Sequence, residues 1–469
     1  MRVALIAPKW YKMINSYPPL GLAYLAAVVR KYNKCDVKIF DLGLTPKVKI
    51  YKEIREILQF KPDVVGITAM TNVYYNACKI AQMLKNSQHS IKIVMGGPHV
   101  TIFPMDAIKN EFVDFVVVGE GEKTFVELID AIENKKSFAH IKGLVYKEGD
   151  KIVQNAAREL ISDLDKIPFP ARDLLKLEHY PLRTYDGKPM VTMITSRGCP
   201  FNCSYCYKGI FGNIYRKRSA ENILEEIKYI VNKHNYRCIY FIDDIFTLDK
   251  ERLKKLCELI LKEKLSIEWQ CLSRVDTITK DMLTLMYEAG CRQIHYGIES
   301  GNENILKNVG RETPLNMIRD VVKWTKQAKI RVKGYFMIGL PGDTVATALQ
   351  TIRFAKELEL DDVMFSVTTP FPGTALWNKI VQQHKGLKFE KRFVHAYYYI
   401  DSMGKFVPFL NVSNMSTDKL IHVTQIARKV AYDIKYNKKY QKRFKKWGTL
   451  ILKIRKLPII KTILQYIFG

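Results

Sequence analysis

The sequence predicts an α/β protein with two successive, mostly parallel sheets followed by a mainly helical region. Three observations carry this expectation. Short β-branched runs alternate with helical patterns across residues 1–140, the alternation resumes across 189–380, and from Val381 the strand pattern fades. A chain of 469 residues has room for two or three such domains.

The first series offers RVALIAP, VKIFDL, VVGIT, IKIVMGG and FVVVGEG as strands, with helical patterns at 21–31 and 73–84 between them. Each strand ends at a Gly, Pro, Asp or Thr turn. Five strands so spaced predict a flavodoxin-like (Rossmann-like), doubly wound domain over 1–140, with its ligand off the carboxyl ends of the strands. Residues 141–188 read as a linker, because LVYKEGDKIVQN forms a hairpin candidate around Gly149 and Asp150, and IPFPARDLL places Pro168 and Pro170 close together.

The second series, 189–380, offers PMVTMITS, CIYFIDD, IEWQCLS, QIHYGIES, VKGYFMIGLP and DVMFSVTTP, with helices at 220–233, 250–264 and 313–328. Alternation of this kind puts functional loops at the strand C-termini. The unusual residues fall there: Cys199 after the first strand, Asp243 and Asp244 at the second, Arg274 after the third, Glu299 and Ser300 after the fourth, Gly339, Pro341 and Gly342 after the fifth, Pro370 and Pro372 after the sixth. Residues 381–469 form the C-terminal region, with a helix expected over 411–435.

Composition narrows the class. Hydrophobic residues at 47% and charged residues at 26% describe a globular chain. The nine cysteines are odd in number and mostly isolated, which argues for a reducing, cytoplasmic setting and against a disulfide framework. MRVALIAPKWYKM reads as a first strand and not a signal peptide, and no run of 18 apolar residues calls for a membrane span. The net charge is +28, and no acid follows Asp433. The tail IKYNKKYQKRFKKWGTLILKIRKLPIIKTILQYIFG is too aliphatic for an RNA-binding arm, so nucleic acid is not an expected partner. Two readings of it stay open: an amphipathic segment touching the inner face of a membrane, and a packed helix pair broken at Pro458.

The stretch SRGCPFNCSYC sets Cys199, Cys203 and Cys206 at C-x3-C-x2-C spacing in one loop. Structural zinc takes four ligands, and His179 and His234, the nearest histidines, lie in segments without a paired ligand pattern. Three cysteines suit a [4Fe-4S] cluster whose fourth iron is open. With Tyr205 before the last cysteine, this motif resembles the signature of the radical S-adenosylmethionine (SAM) enzymes. FIDDIF, CLSRVDTI, HYGIESGNENILK, YFMIGLPGDT and PFPGTALW resemble that family's later-strand motifs, with Asp343 where the family usually has Glu.

The resemblance implies a partial (β/α)6 barrel over 189–380 and a mechanism. SAM chelates the open iron, an external low-potential donor supplies an electron, and a 5'-deoxyadenosyl radical removes hydrogen from an unactivated carbon. It assigns SAM contacts to Asp243, Asp244, Glu299 and Ser300, with helix capping as the alternative for each pair. Gly339 and Pro341 shape a turn near the adenine, and Arg274 pairs with a carboxylate of SAM or with Asp276. No individual catalytic residue is assigned.

PPLGLAYLAAVVRK, FDLG, PDVVGIT, GGPHVT and VVGEGEKTF resemble, in order and spacing, the cobalamin-binding domain fused to one branch of these enzymes. The resemblance assigns cobalamin contacts to Gly21, Gly96, Gly97, His99, Gly119 and Glu120. His99 remains equally open as a plain turn residue. The loop APKWYKMINSYPPLG holds no histidine, so no imidazole from it ligates cobalt from below. An alternative is a front domain that has lost cobalamin and persists as a scaffold. The expected function is methylation of an unactivated carbon of a small-molecule, lipid-like substrate. Rivals are a cyclase or other carbon-carbon bond-forming enzyme with the same cofactors, and an iron-sulfur electron-transfer or sensor protein. A tRNA methylthiotransferase would need a second three-cysteine set, and the front domain has only Cys35 and Cys78.

Overall fold

A computed structural model describes residues 1–9, 17–44, 50–383 and 410–444, with side chains to 436. The chain divides into two compact units. One comprises Met1–Trp269 with the residues from Pro370, and the other Gln270–Thr369 with the residues from Leu410. The division falls inside the stretch 189–380 that the sequence reads as one domain.

The first unit opens with a seven-stranded sheet in the order β2-β1-β3-β4-β5-β6-β7. Its strands are β1 (Arg2–Ala7), β2 (Asp36–Asp41), β3 (Val64–Thr68), β4 (Lys92–Gly96), β5 (Phe115–Val117), β6 (Leu144–Glu148) and β7 (Lys151–Gln154). The first five pair in parallel in the flavodoxin-like order. Successive side chains alternate faces. Ala4, Ile6, Val65, Ile67, Ile93, Met95 and Val116 enter one core. Their neighbours Val3, Leu5, Val64, Val94, Phe115 and Val117 enter the other. That two-sided burial is why the strands read as continuous apolar runs. The order reverses between β1 and β3, which opens the crevice at the carboxyl ends. The hairpin expected in the linker is β6–β7, joined antiparallel to β5, so it extends the front sheet.

After the front sheet come β8 (Val191–Met193), β9 (Ser196–Arg197), β10 (Arg216–Lys217) and β11 (Cys238–Phe241). β8 pairs in parallel with β11, and β9 pairs with β10 in a two-residue antiparallel ladder. β12 (Glu268–Ser273) follows.

The second unit carries β13 (Cys291–Glu299), β14 (Arg331–Ile338) and β15 (Asp362–Val367), parallel in succession, with a register shift between Gly297 and Glu299. The helix Thr417–Phe444 continues past the expected 411–435. Its Leu420, Val423 and Ala427 pack with Ile338, Ala348 and Ile352 in one apolar cluster. The basic tail beyond Phe444 and residues 10–16 of the APKWYKMINSYPPLG loop lie outside the described residues. Among the described residues no helix is long and apolar enough to cross a membrane.

Candidate functional site

The three cysteines sit in the loop between β9 and β10. Cys203 is buried, Cys199 half-buried and Cys206 exposed, and none of the three is in a disulfide. The loop begins at Gly198, whose φ of 85° suits glycine, and a Cβ there would overlap the Ile214 carbonyl oxygen. It is closed inside by the Cys206 N–H donating to the Cys203 carbonyl at 3.1 Å, and by the Lys208 ammonium donating to the Phe201 carbonyl. PFPGTALW lies against it, because the Leu376 N–H donates to the Ser204 carbonyl at 2.8 Å. Burial pushes the Cys199 thiol up; the nearby Asp244 and Cys203 push the same way, while the Phe201 backbone and Lys208 pull it down. Three uncrosslinked thiols in one short loop are the donor set for a [4Fe-4S] cluster with one iron left open. Among the described residues no three His, Cys, Asp or Glu side chains converge on a single ion.

The two acids of FIDD part company. Asp243 is buried and turns back on the chain. Its carboxylate accepts from the Thr195 N–H at 2.6 Å, from the Thr195 hydroxyl, and from the Ser196 hydroxyl at 2.8 Å. It stitches the end of β11 to the segment leading into the cysteine loop. Asp244 is exposed to solvent, yet the surrounding protein raises its pKa, aided by the Asp243 charge and opposed by Lys208. Neither acid caps the next helix; Asp249 does, accepting from the Arg252 N–H at 2.9 Å.

At the carboxyl ends of the front sheet lies a cavity of about 210 Å³. Gly21, Gly96, Gly97, Gly119 and Glu120 line it, opposite Ile194, Arg197, Ile210 and Phe211. Among the described residues a Cβ at Gly21 or Gly119 would meet nothing within 4 Å, so these positions leave space on the cavity side. The volume is below the roughly 300–1,000 Å³ of ordinary ligand pockets. His99 does not line it. Its ring is buried beside Tyr74 and Phe103, with Nδ1 3.4 Å from the Thr71 hydroxyl, and burial lowers its pKa to about 3.

In the second unit, Arg274 forms a fork on Asp276 at 2.9 and 2.6 Å, the intramolecular of its two expected partners. Glu299 has φ 68°, an uncommon backbone for a non-glycine residue and one found at strained functional positions. Ser300 is buried, with its hydroxyl 3.1 Å from that of Thr351. The cap of the following helix is Asn302, which accepts from the Ile305 N–H at 3.1 Å. Gly339, with φ 84°, donates its N–H to Asp343, and a Cβ there would press on Leu420 of the C-terminal helix. The Pro341 carbonyl accepts from Asn308 at 3.3 Å.

Sequence reasoning missed two buried ion networks in the first unit. Glu226 is fully buried between Arg172 and Arg218, whose guanidinium groups also donate to the Thr192 and Ile194 carbonyls. Glu120 and Glu122 pair with Arg197 and Arg216 around the cysteine loop. The only available signal was a pair of arginines flanking the cysteine motif.

Residues 193–355 match the Radical SAM superfamily and residues 13–129 the B12 binding domain. An uncharacterized methyltransferase of Pyrococcus horikoshii is 39% identical over 384 residues, 80% of this chain and 82% of that one. An anaerobic magnesium-protoporphyrin IX monomethyl ester cyclase of Rubrivivax gelatinosus is 28% identical over 402 residues, 83% of this chain and 72% of that one. Among solved structures, the radical S-adenosylmethionine methyltransferase TsrM of Kitasatospora setae, with cobalamin and a [4Fe-4S] cluster bound, aligns with a TM-score of 0.69. That alignment covers 83% of this chain and 79% of that one at 18% identity, a likeness of fold.

Proposed function

The chain belongs to the radical SAM enzymes that carry a B12-binding domain, and from that membership we propose that it methylates an unactivated carbon of a small molecule with SAM and cobalamin. One observation carries the reading. The segment that holds the cysteines also walls the front cavity, since Ile210 and Phe211 of the loop and Arg197 at its foot face Gly21 and Gly119. Two cofactor sites built on one loop suit a reaction that needs both.

Cys199, Cys203 and Cys206 would hold the cluster, and the glycines at the ends of β4 and β5 would cradle cobalamin. When bound, the cluster supplies the electron that opens SAM and cobalamin supplies the methyl carrier. The chain's own residues orient these groups. Asp243 fixes the approach to the cysteine loop, Asp244 presents an exposed carboxylate beside it to the SAM amino group, and Arg197 and Phe211 shield the cavity wall from water. Glu299, Ser300, Gly339 and Pro341 are the second unit's candidate SAM positions, of which Glu299 has the backbone of a site residue. Arg274 enters through Asp276.

A lipid-like substrate and peripheral membrane contact rest on the amphipathic tail sequence, and an external low-potential donor on the need for an electron. Deleting 448–469 is expected to abolish sedimentation with anionic liposomes; unchanged sedimentation removes the membrane reading. The less supported alternative, a cyclase, has the Rubrivivax relative behind it. Anaerobic reconstitution with SAM, hydroxocobalamin and a strong reductant decides between them. Methylation predicts 5'-deoxyadenosine together with a product heavier by one CH2, cyclisation predicts 5'-deoxyadenosine without the added CH2, and a sensor predicts no 5'-deoxyadenosine.

A further inference from the structure

The cysteine loop leaves the protein at Arg197 and returns at Arg216, which face each other across the β9–β10 ladder. Both arginines reach the same front-domain carboxylate. Arg197 donates to Glu120 Oε1 at 2.8 Å, and Arg216 donates to both Glu120 oxygens at 3.0 and 2.9 Å. Arg197 extends its other arm to Glu122. Arg216 also donates to the Ile161 carbonyl at 2.6 Å and the Phe211 carbonyl at 3.1 Å, and the Ile161 N–H returns a bond to Glu120 at 2.7 Å. All four charged side chains are buried, and the Arg197 guanidinium lies over the Tyr24 and Phe211 rings.

We propose that Glu120 is a positioning residue that clamps both feet of the cysteine loop and thereby couples cobalamin uptake to cluster binding. The inference rests on the two-cofactor reading above and assigns Glu120 a role beyond contact with cobalamin. The geometry gives the reason. Glu120, Glu122, Arg197 and Phe211 line the cavity, so a ligand entering it presses on the same groups that fix the loop's ends. Two glutamates balance two arginines, so the network is neutral as a set. Replacing one member leaves a buried partner uncompensated, and the loop's feet are released together. Coupling of this kind is reciprocal: what the cluster does to cobalamin affinity, cobalamin must do to cluster affinity.

The test uses the full chain, reconstituted anaerobically, with hydroxocobalamin as probe. Its dissociation constant is measured with the cluster in place and in the Cys199→Ala, Cys203→Ala, Cys206→Ala triple variant. The expected ratio for the otherwise unchanged chain is at least about fivefold, within the usual range of coupling between sites. In Glu120→Gln the two constants should coincide, and the electron paramagnetic resonance signal of the reduced cluster should broaden. Arg216→Lys, which keeps the charge but loses the two-armed donor, provides a milder second variant; its ratio should fall by at least about half on the same scale. A ratio of one in the unchanged chain, or an undiminished ratio in both variants, overturns the clamp while leaving the two-cofactor reading intact. Failure of the unchanged chain to bind hydroxocobalamin overturns both.

Discussion

At the carboxyl ends of the front sheet the chain presents glycine, and Gly21 and Gly119 face open space. Across the same cavity the cysteine loop is held by side chains, with Arg197 and Arg216 at its feet and Asp243 at its approach. The cavity is made by leaving atoms out, whereas the loop is held by buried charged groups paired with one another. Their vulnerabilities are therefore opposite: adding atoms damages the first, and removing them damages the second.

The largest expected effect lies on the loop. Replacing Cys199, Cys203 or Cys206 with Ala should abolish both chelatable iron and SAM cleavage, with hydroxocobalamin still bound but more weakly; iron assay and 5'-deoxyadenosine yield read the result. Full iron in any one of the three variants would remove that cysteine from the ligand set.

Next in size comes the other buried network. Glu226→Ala strands Arg172 and Arg218 without their carboxylate and should cost about 3–5 kcal/mol in urea unfolding. A loss under about 1 kcal/mol, the level of an exposed ion pair, would show that solvent reaches this network.

The cavity should respond in the opposite sense. Gly21→Leu puts a helix-favouring residue in the first turn, at a position whose Cβ meets no described atom, which should stabilise the chain by up to about 1 kcal/mol. The same side chain fills ligand space, so hydroxocobalamin binding should weaken at least about tenfold, or ~1.4 kcal/mol. Stability gained with binding unchanged would show that the ligand lies elsewhere.

His99 gives the most specific effect, one confined to acid pH. The unfolded chain takes up a proton near pH 6.5 that the folded chain excludes until about pH 3. Its burial therefore costs nothing above pH 6.5, and stability falls as the pH drops from 6.5 towards 3. His99→Phe should remove about 1.4 kcal/mol per pH unit from that acid limb. His295 in the second unit, also lowered to about 3, retains its own share. An unchanged slope between pH 6 and 5 would mean that His99 is protonated in place.

The front strands were legible because burial on both faces writes continuous apolar runs, and the later strands because chemistry gathers at their ends. The role of the β6–β7 hairpin was not, since a local turn signal cannot reveal that its partner is β5. The ladder of Arg197 and Arg216 was too short to carry any periodicity. Asp243 stands out in the sequence by its place at a strand end; its partners Thr195 and Ser196 come from a different strand end, which no local pattern announces. Arg172 sits in a proline-flanked segment that reads as linker, and only the fold brings it to Glu226.

Gly339 has a consequence for how the chain is made. The turn after β14 is roofed by Leu420, and the cluster around Ile338 is finished by Met415, Val423 and Ala427. The front sheet has all its strands once Gln154 has left the ribosome, whereas the second unit must wait for residues beyond 410. Domains emerging during synthesis fold from the N-terminus onward. A nascent chain stalled before Thr417 would thus carry a finished front sheet and an uncovered apolar surface at β14, and that interval is when a chaperone has most to do.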